Sequence, residues 1–466
     1  ASEAGLEVLK RGGNAVDAAA VTQFVLNVVE PYASGIGGGA FILIYDARSG
    51  SVYAIDGREE APAAFSETVF LDESGKPIPF NDRSTGGRPV GVPGTLAAWA
   101  LALERFGTLS LAEALEPAIR VAEEGFTLTE DDAAILKANA SRLARFPASA
   151  ALFLKEDGTP LQAGDVLRNP DLAETFRIIA RDGIRAFYEG EIARDIVRAV
   201  QEAPFNPGLM TLEDLRLYRA VLREPVRGTY RGYEIVSMAP PTSGGVGLIE
   251  MLNILEAYDL GRYGWGSADA VHLLAEAQKL AFADRNRYLG DADFVDIPVA
   301  KLLSKPYAAV RRQLISPVAA IPTPAPHGQA EEGVSTTHFS VVDRERNMVA
   351  ATSTIERFFG SAVVVPGRGF LLNNELTDFD ATPTFADGTP APNRPEGGKR
   401  PRRTALGEDA TTLGGKRPRS SMTPTLVLLD GKPVLAVGSP GGPNIIGVVL
   451  NVLTNILDFG MDPQQA

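Results

Sequence analysis

The sequence predicts a layered α+β sandwich, with antiparallel sheets inside and helices outside. Three observations predict it. Strand-like runs cluster toward both ends of the chain, at 41–45 and 51–56 and again at 336–342, 348–351, 425–429 and 433–437. The stretch 93–204 carries mostly helical spacing. Strands and helices do not alternate, as they would in a doubly wound parallel fold.

From the start, residues 3–10 and 15–29 have helical spacing, and Asn14 is a plausible N-cap for the second helix. Ser34-Gly35-Ile36-Gly37-Gly38-Gly39 leads into the apolar run 41–45. These glycines precede a strand instead of following one and opening a helix. That is the wrong context for a dinucleotide, so close strand packing or a tight turn is the better reading. Arg58 ends the strand at 51–56, beside Gly57. Helical patterns follow at 95–106, 111–125, 130–143 and 171–180, and 211–215 reads as a capped helix start. Residues 226–238 return to strand, 240–245 form a turn, and helices are expected at 246–258 and 267–289. His272 and Asp284 on the last of these read as packing or surface residues. Residues 317–332 read as a loose linker. Beyond the hairpin at 336–351, a strand is expected at 370–375. Residues 380–419 are rich in Pro, Gly, Arg and Lys, repeat GGKRPR, and read as a solvated loop. Gly438-Ser439-Pro440-Gly441-Gly442 precedes a helix from Ile445, so its N–H groups form a natural hole for an oxyanion.

Composition bounds the function. The chain has 466 residues, 45% hydrophobic and 22% charged, enough for a large core or two lobes. A net charge of -13 argues against general nucleic-acid binding. The absence of cysteine excludes disulfides, zinc–thiolate sites and cysteine nucleophiles. No run approaches the ~18 apolar residues of a membrane span. No cofactor or metal site is expected. The chain opens without an initiator methionine and stops just after an amphipathic pattern, and so reads as interrupted at both ends.

The chemistry concentrates at GVSTTHFSVVDRERNMVAATST, residues 333–354. Hydroxyls stand at the entry of a β-hairpin, with Gly333 giving a flexible approach. Threonine is also simply a good strand residue, and His338 reads as packed or at the surface. A threonine that cuts the bond before itself would become an N-terminal nucleophile. Its freed amine could act as base for its own hydroxyl, so no histidine is required.

Segments along nearly the whole chain carry a resemblance. They are ASEAGLEVLKRGGNAVDAA, PYASGIGGGAFILIYDA, YAIDGREEAP, GVPGT, APPTSGG, EAQKLAFADRNRYLGD, STTHFSVVD, GFLLNNELTDF, GKRPRSSMTPT and GSPGGPNII, in that order. The chain closely resembles the γ-glutamyltranspeptidase family (glutathione hydrolase proenzymes) of N-terminal nucleophile hydrolases. The resemblance implies a four-layer αββα sandwich and self-cleavage between Ser335 and Thr336. Residues 1–335 would be the large subunit and 336–466 the small one. Thr336 matches the nucleophile, and Thr354 the threonine bonded to its amine or hydroxyl. Gly441 and Gly442 match the oxyanion-hole glycines. Arg58 matches the clamp for the substrate α-carboxylate, helped by Ser420 and Ser421. Asp378 matches the carboxylate that receives the α-ammonium, with Glu356 and Glu375 beside it. The donors would be glutathione and related γ-glutamyl compounds, and the acceptors water, amino acids or peptides. A zwitterionic glutamyl head independently asks for a cation and hydroxyls at one end and carboxylates at the other. Glutaryl-β-lactam acylases and poly-γ-glutamate hydrolases are the alternatives within the family, and an unprocessed binding homologue the alternative outside catalysis. The family's opening strand and closing segment are expected beyond the ends of this chain. The resemblance also implies a periplasmic or extracellular location, and many members carry a lid where 380–419 stands.

Overall fold

The computed structural model describes residues 1–322, 335–405 and 407–466. Gly333 and most of the expected linker lie outside these residues.

Two antiparallel sheets form the centre. The first runs in the order Val221–Arg223, Ser51–Gly57, Gly39–Asp46, Met348–Thr354, Thr337–Val342. The second runs Lys432–Val437, Thr425–Leu429, Tyr233–Ser237, Val226–Tyr230. The side-chain period of two sorts the first sheet's residues between two cores. Ile42, Ile44, Val349 and Ala351 join a core with the helices Ala15–Val29 and Thr95–Phe106. Phe41, Leu43, Tyr45 and Ala350 join the other, with the second sheet and the helices Gly244–Leu255 and Ile445–Leu457. Helix, sheet, sheet, helix is the αββα order that the sequence led us to expect.

Local chemistry sets the element boundaries. Asn14 caps its helix through a reciprocal capping box with Asp17. The glycines at 37 and 38 answer to close packing: an added Cβ would lie 2.0 Å from the Leu371 carbonyl oxygen at Gly37, and 2.1 Å from that of Thr354 at Gly38. The stretch 226–238 is a hairpin with a turn at Arg231 and Gly232, both at positive φ. The following helix starts at Gly244, two residues before expectation.

Two expectations are corrected. Residues 370–375 form no strand. Their backbone bonds scatter over several partners: the Leu372, Asn373 and Asn374 N–H groups donate to the carbonyls of Val363, Gly37 and Ile355. A 3-10 helix, Glu375–Asp378, follows. The segment read as a solvated loop contains the antiparallel hairpin Arg400–Thr404 with Gly407–Gly414. Arg402, Lys416, Arg417 and Arg419 are buried. Arg402 pairs with Glu60 (2.5 Å) and Asp293 (2.8 Å). Arg417 pairs with Asp56 (2.5 Å) and Glu60 (3.0 Å), and Arg223 with Asp56 (3.0 Å) and Asp293 (2.8 Å). The acids come from far away in sequence, so a local count of charge misreads the segment.

Candidate active site

The register of the first sheet builds the site. Thr337 pairs with Ser353 across the hairpin, and Gly39 pairs with Thr354 on the other side. Thr336 therefore stands one residue ahead of its strand, beside the end of the partner strand. Its hydroxyl reaches both the Ser335 carbonyl oxygen and, at 3.3 Å, the Thr354 hydroxyl. Thr354 Oγ1 donates to the same Ser335 carbonyl at 3.3 Å and accepts the Glu356 N–H at 2.9 Å. Two hydroxyls thus converge on the bond between Ser335 and Thr336.

Arg58 is buried at the end of its strand. Its Nε donates to the Pro418 carbonyl at 3.1 Å. Its Nη1 pairs with Glu375 Oε1, and its Nη2 with Asp378 Oδ2 at 2.5 Å. The 3-10 helix Glu375–Asp378 presents both acids to one guanidinium. Sequence reasoning placed cation and carboxylates at opposite ends of a substrate; here they neutralise each other directly. Glu356 has positive φ (80°) and takes a hydrogen bond from Asn374 Nδ2. Burial and neighbouring acids raise the Glu375 carboxyl well above its ordinary range. Glu59, 3.9 Å from Arg58, is pushed up to about 8 by burial.

Ser420 and Ser421 sit in the same wall. Thr242 Oγ1 donates to the Ser420 carbonyl at 3.2 Å and to the Met422 carbonyl at 2.7 Å, and Ser243 Oγ donates to the Ser420 carbonyl at 2.7 Å. Gly441 and Gly442 both have positive φ (126° and 56°) ahead of the helix Ile445–Leu457, a conformation that glycine adopts without steric cost.

Ser335, Thr336, Thr354, Arg58, Glu356, Glu375, Asp378, Ser420, Ser421 and Gly442, all singled out in the sequence, line one pocket. Gly441 lies next to that lining but not in it. Met422 and Ile445 complete the wall and carried no sequence signal beyond their neighbours. Glu59 was also missed, although it stands beside Arg58 in the quoted GREEAP. His338 is half-buried, bonded to Thr352 Oγ1 at 2.8 Å, and desolvation holds its pKa down to about 4, so it is a packed residue. His272 bonds the Ser316 carbonyl at 2.7 Å and Asp284 the Tyr307 hydroxyl at 3.0 Å, so both pack structure away from the site.

The γ-glutamyltranspeptidase family profile matches residues 1–407 and 409–466. A glutathione hydrolase proenzyme of Bacillus subtilis (strain 168) is 43% identical, over 100% of this chain and 78% of its own length. The γ-glutamyltranspeptidase structure of Helicobacter pylori is 41% identical with a TM-score of 0.67, over 69% of this chain and 91% of that one. A cephalosporin acylase structure from Bacillus halodurans is 30% identical with a TM-score of 0.81, over 99% of this chain and 79% of that one. With the profile matched along nearly all its length and a threonine poised at the expected bond, this chain belongs to the γ-glutamyltranspeptidase family.

Proposed function

We propose that the chain is a self-processing γ-glutamyl hydrolase and transferase with Thr336 as nucleophile. The observation that carries this reading is the convergence of the Thr336 and Thr354 hydroxyls on the Ser335 carbonyl, beside a buried arginine–carboxylate cluster.

Maturation comes first. Thr336 Oγ1 adds to the Ser335 carbonyl carbon, the C–N bond breaks, and the hydroxyl proton passes to the departing nitrogen. Water then hydrolyses the resulting ester. This leaves a Ser335 carboxylate and a Thr336 with free amine and hydroxyl, separating a large subunit (1–335) from a small one (336–466). In turnover, the amine takes the proton of its own hydroxyl as Oγ1 attacks the γ-carbonyl of the donor. The Gly441 and Gly442 N–H groups receive the oxyanion. The leaving amine departs with the proton, and Thr354 holds the nucleophile through its hydroxyl. Water or an amino acid or peptide amine then takes the glutamyl group. Arg58, with Ser420 and Ser421, receives the donor α-carboxylate; Asp378, with Glu356 and Glu375, receives the α-ammonium. The zwitterion thus exchanges for the internal pairs that Arg58 makes with Glu375 and Asp378. Donors of this kind, glutathione among them, fit a periplasmic or extracellular location.

The test compares wild type with Thr336→Ala on a denaturing gel and by intact mass. Dividing 49.5 kDa by residue share gives pieces of roughly 36 and 14 kDa. Wild type is expected to give that pair, with Thr336 as a new N-terminus, and to release anilide from a γ-glutamyl anilide; Thr336→Ala stays whole and inactive. A folded wild type that stays whole sinks the reading.

The acylase likeness supports one second reading, a glutaryl amide as donor. Glutaryl lacks the ammonium that three carboxylates would serve, so the γ-glutamyl donor is favoured. The ratio of kcat/KM for γ-glutamyl and glutaryl anilides decides between them.

A further inference from the structure

We infer that Arg285 is a positioning residue for the carboxylate end of this pocket, acting through Ser421 and Ser243. The inference rests on the γ-glutamyl reading above and adds a residue that none of the motif matches assigns a role.

Arg285 lies near the end of the helix Ala268–Tyr288 and is buried. It is absent from the pocket wall, whereas Ser421 is part of it. Its Nη2 donates to Ser421 Oγ at 2.8 Å, and its Nε donates to Ser243 Oγ at 2.9 Å. Its Nη1 meets Asn286 Oδ1 at 3.2 Å, and its plane lies over the Phe282 ring at 5.6 Å. The fork is therefore fixed in orientation as well as charge.

A guanidinium only donates, so both serine oxygens must accept from it. Each serine has one proton left. The proton of Ser243 goes to the Ser420 carbonyl at 2.7 Å, which also receives the Ser243 N–H at 2.8 Å. The peptide between Ser420 and Ser421 is thereby tied from behind. Ser421, whose hydroxyl oxygen takes the guanidinium N–H, stands in the pocket wall. A hydroxyl that accepts from a cation is polarised and donates more strongly. The ligand group this favours is an anion with oxygen acceptors, the α-carboxylate of the donor. Lysine carries the charge but cannot span both serines with a rigid fork.

The experiment uses the self-cleaved protein and two anilides: the γ-glutamyl compound and its 4-aminobutanoyl counterpart, which lacks the α-carboxylate. For Arg285→Lys, KM for the γ-glutamyl donor is expected to rise about 10- to 100-fold, the worth of one charge-assisted hydrogen bond. The kcat stays within about 3-fold, because the loss is in binding. The 4-aminobutanoyl donor keeps its wild-type KM. Ser421→Ala reproduces this pattern, and adding Arg285→Lys to it costs little more, since one acts through the other. Guanidinium ion at millimolar concentration restores KM in Arg285→Ala but not in Ser421→Ala. Self-cleavage on a gel reports that each variant has folded. An unchanged KM in Arg285→Lys overturns the inference. So do equal losses on both donors or fully additive losses in the double variant, which mark a merely structural residue. Failure of self-cleaved wild type to release the γ-glutamyl anilide is a different result: it removes the substrate reading itself.

Discussion

On the proposed reading, Arg58 faces opposing demands: it must be held tightly enough to survive burial and loosely enough to take a substrate carboxylate. Its pairs with Glu375 and Asp378 meet the first demand. Removing it leaves those acids buried without their cation. Arg58→Ala is therefore expected to lose about 3–5 kcal/mol of stability, by urea unfolding, besides its donor binding. Glu59 gives a pH signature. Its folded carboxyl sits at about 8 against an ordinary 4.5, with burial as the leading cause. The folded chain thus keeps a proton that the unfolded chain releases. This contribution to stability is complete below 4.5 and lost as pH rises through about 8. The wild-type Tm should decline between about pH 5 and pH 9, and Glu59→Gln, which cannot ionise, should show a flatter profile. At this scale the sequence singled out Thr336, Arg58 and Asp378, and the structure brings all three to one pocket. It did not show that Arg58 pairs with those acids directly, because that depends on residues more than 300 positions apart.

Elements with their own period and punctuation were readable. The helix Thr95–Phe106 and the strands Gly39–Asp46 and Thr425–Leu429 follow from apolar spacing alone. The stretch 370–375 was misread because a short apolar run looks the same whether its backbone pairs along one neighbour or several. The Arg400–Gly414 hairpin was misread because Arg402 within it and Arg417 just beyond it are neutralised by distant acids. The glycine turn before the first strand tolerates little change. A Cβ on Gly37 would meet backbone, the Leu371 carbonyl at 2.0 Å, which cannot swing aside as a side chain can. Gly37→Ala should cost on the order of 1–3 kcal/mol, read from the denaturant midpoint, and should slow self-cleavage, read as accumulating precursor.

At the scale of the whole molecule, the layer order followed from where strands and helices fall along the chain, whereas the pairing of the sheets depends on contacts that no local pattern encodes. The first sheet takes three strands from before Thr336 and two from after it, and the second takes two from each side. The joins are Gly39–Asp46 against Met348–Thr354 in one sheet and Tyr233–Ser237 against Thr425–Leu429 in the other. The proposed cut at Ser335–Thr336 would therefore divide the chain without separating the fold. It does change the thermodynamics. The precursor unfolds as one molecule, and its Tm is independent of concentration. The cleaved protein unfolds into two, so its Tm should rise with protein concentration, while Thr336→Ala, uncut, should show no such dependence. Calorimetry at two concentrations tenfold apart would read the difference. The same seam makes the reaction one-way in a second sense. Two pieces that had diffused apart would have to find each other again before either could complete a sheet, so on the proposed reading the uncut chain is the form that folds, and cleavage would turn a molecule that can be reassembled by itself into one whose persistence depends on never having come apart.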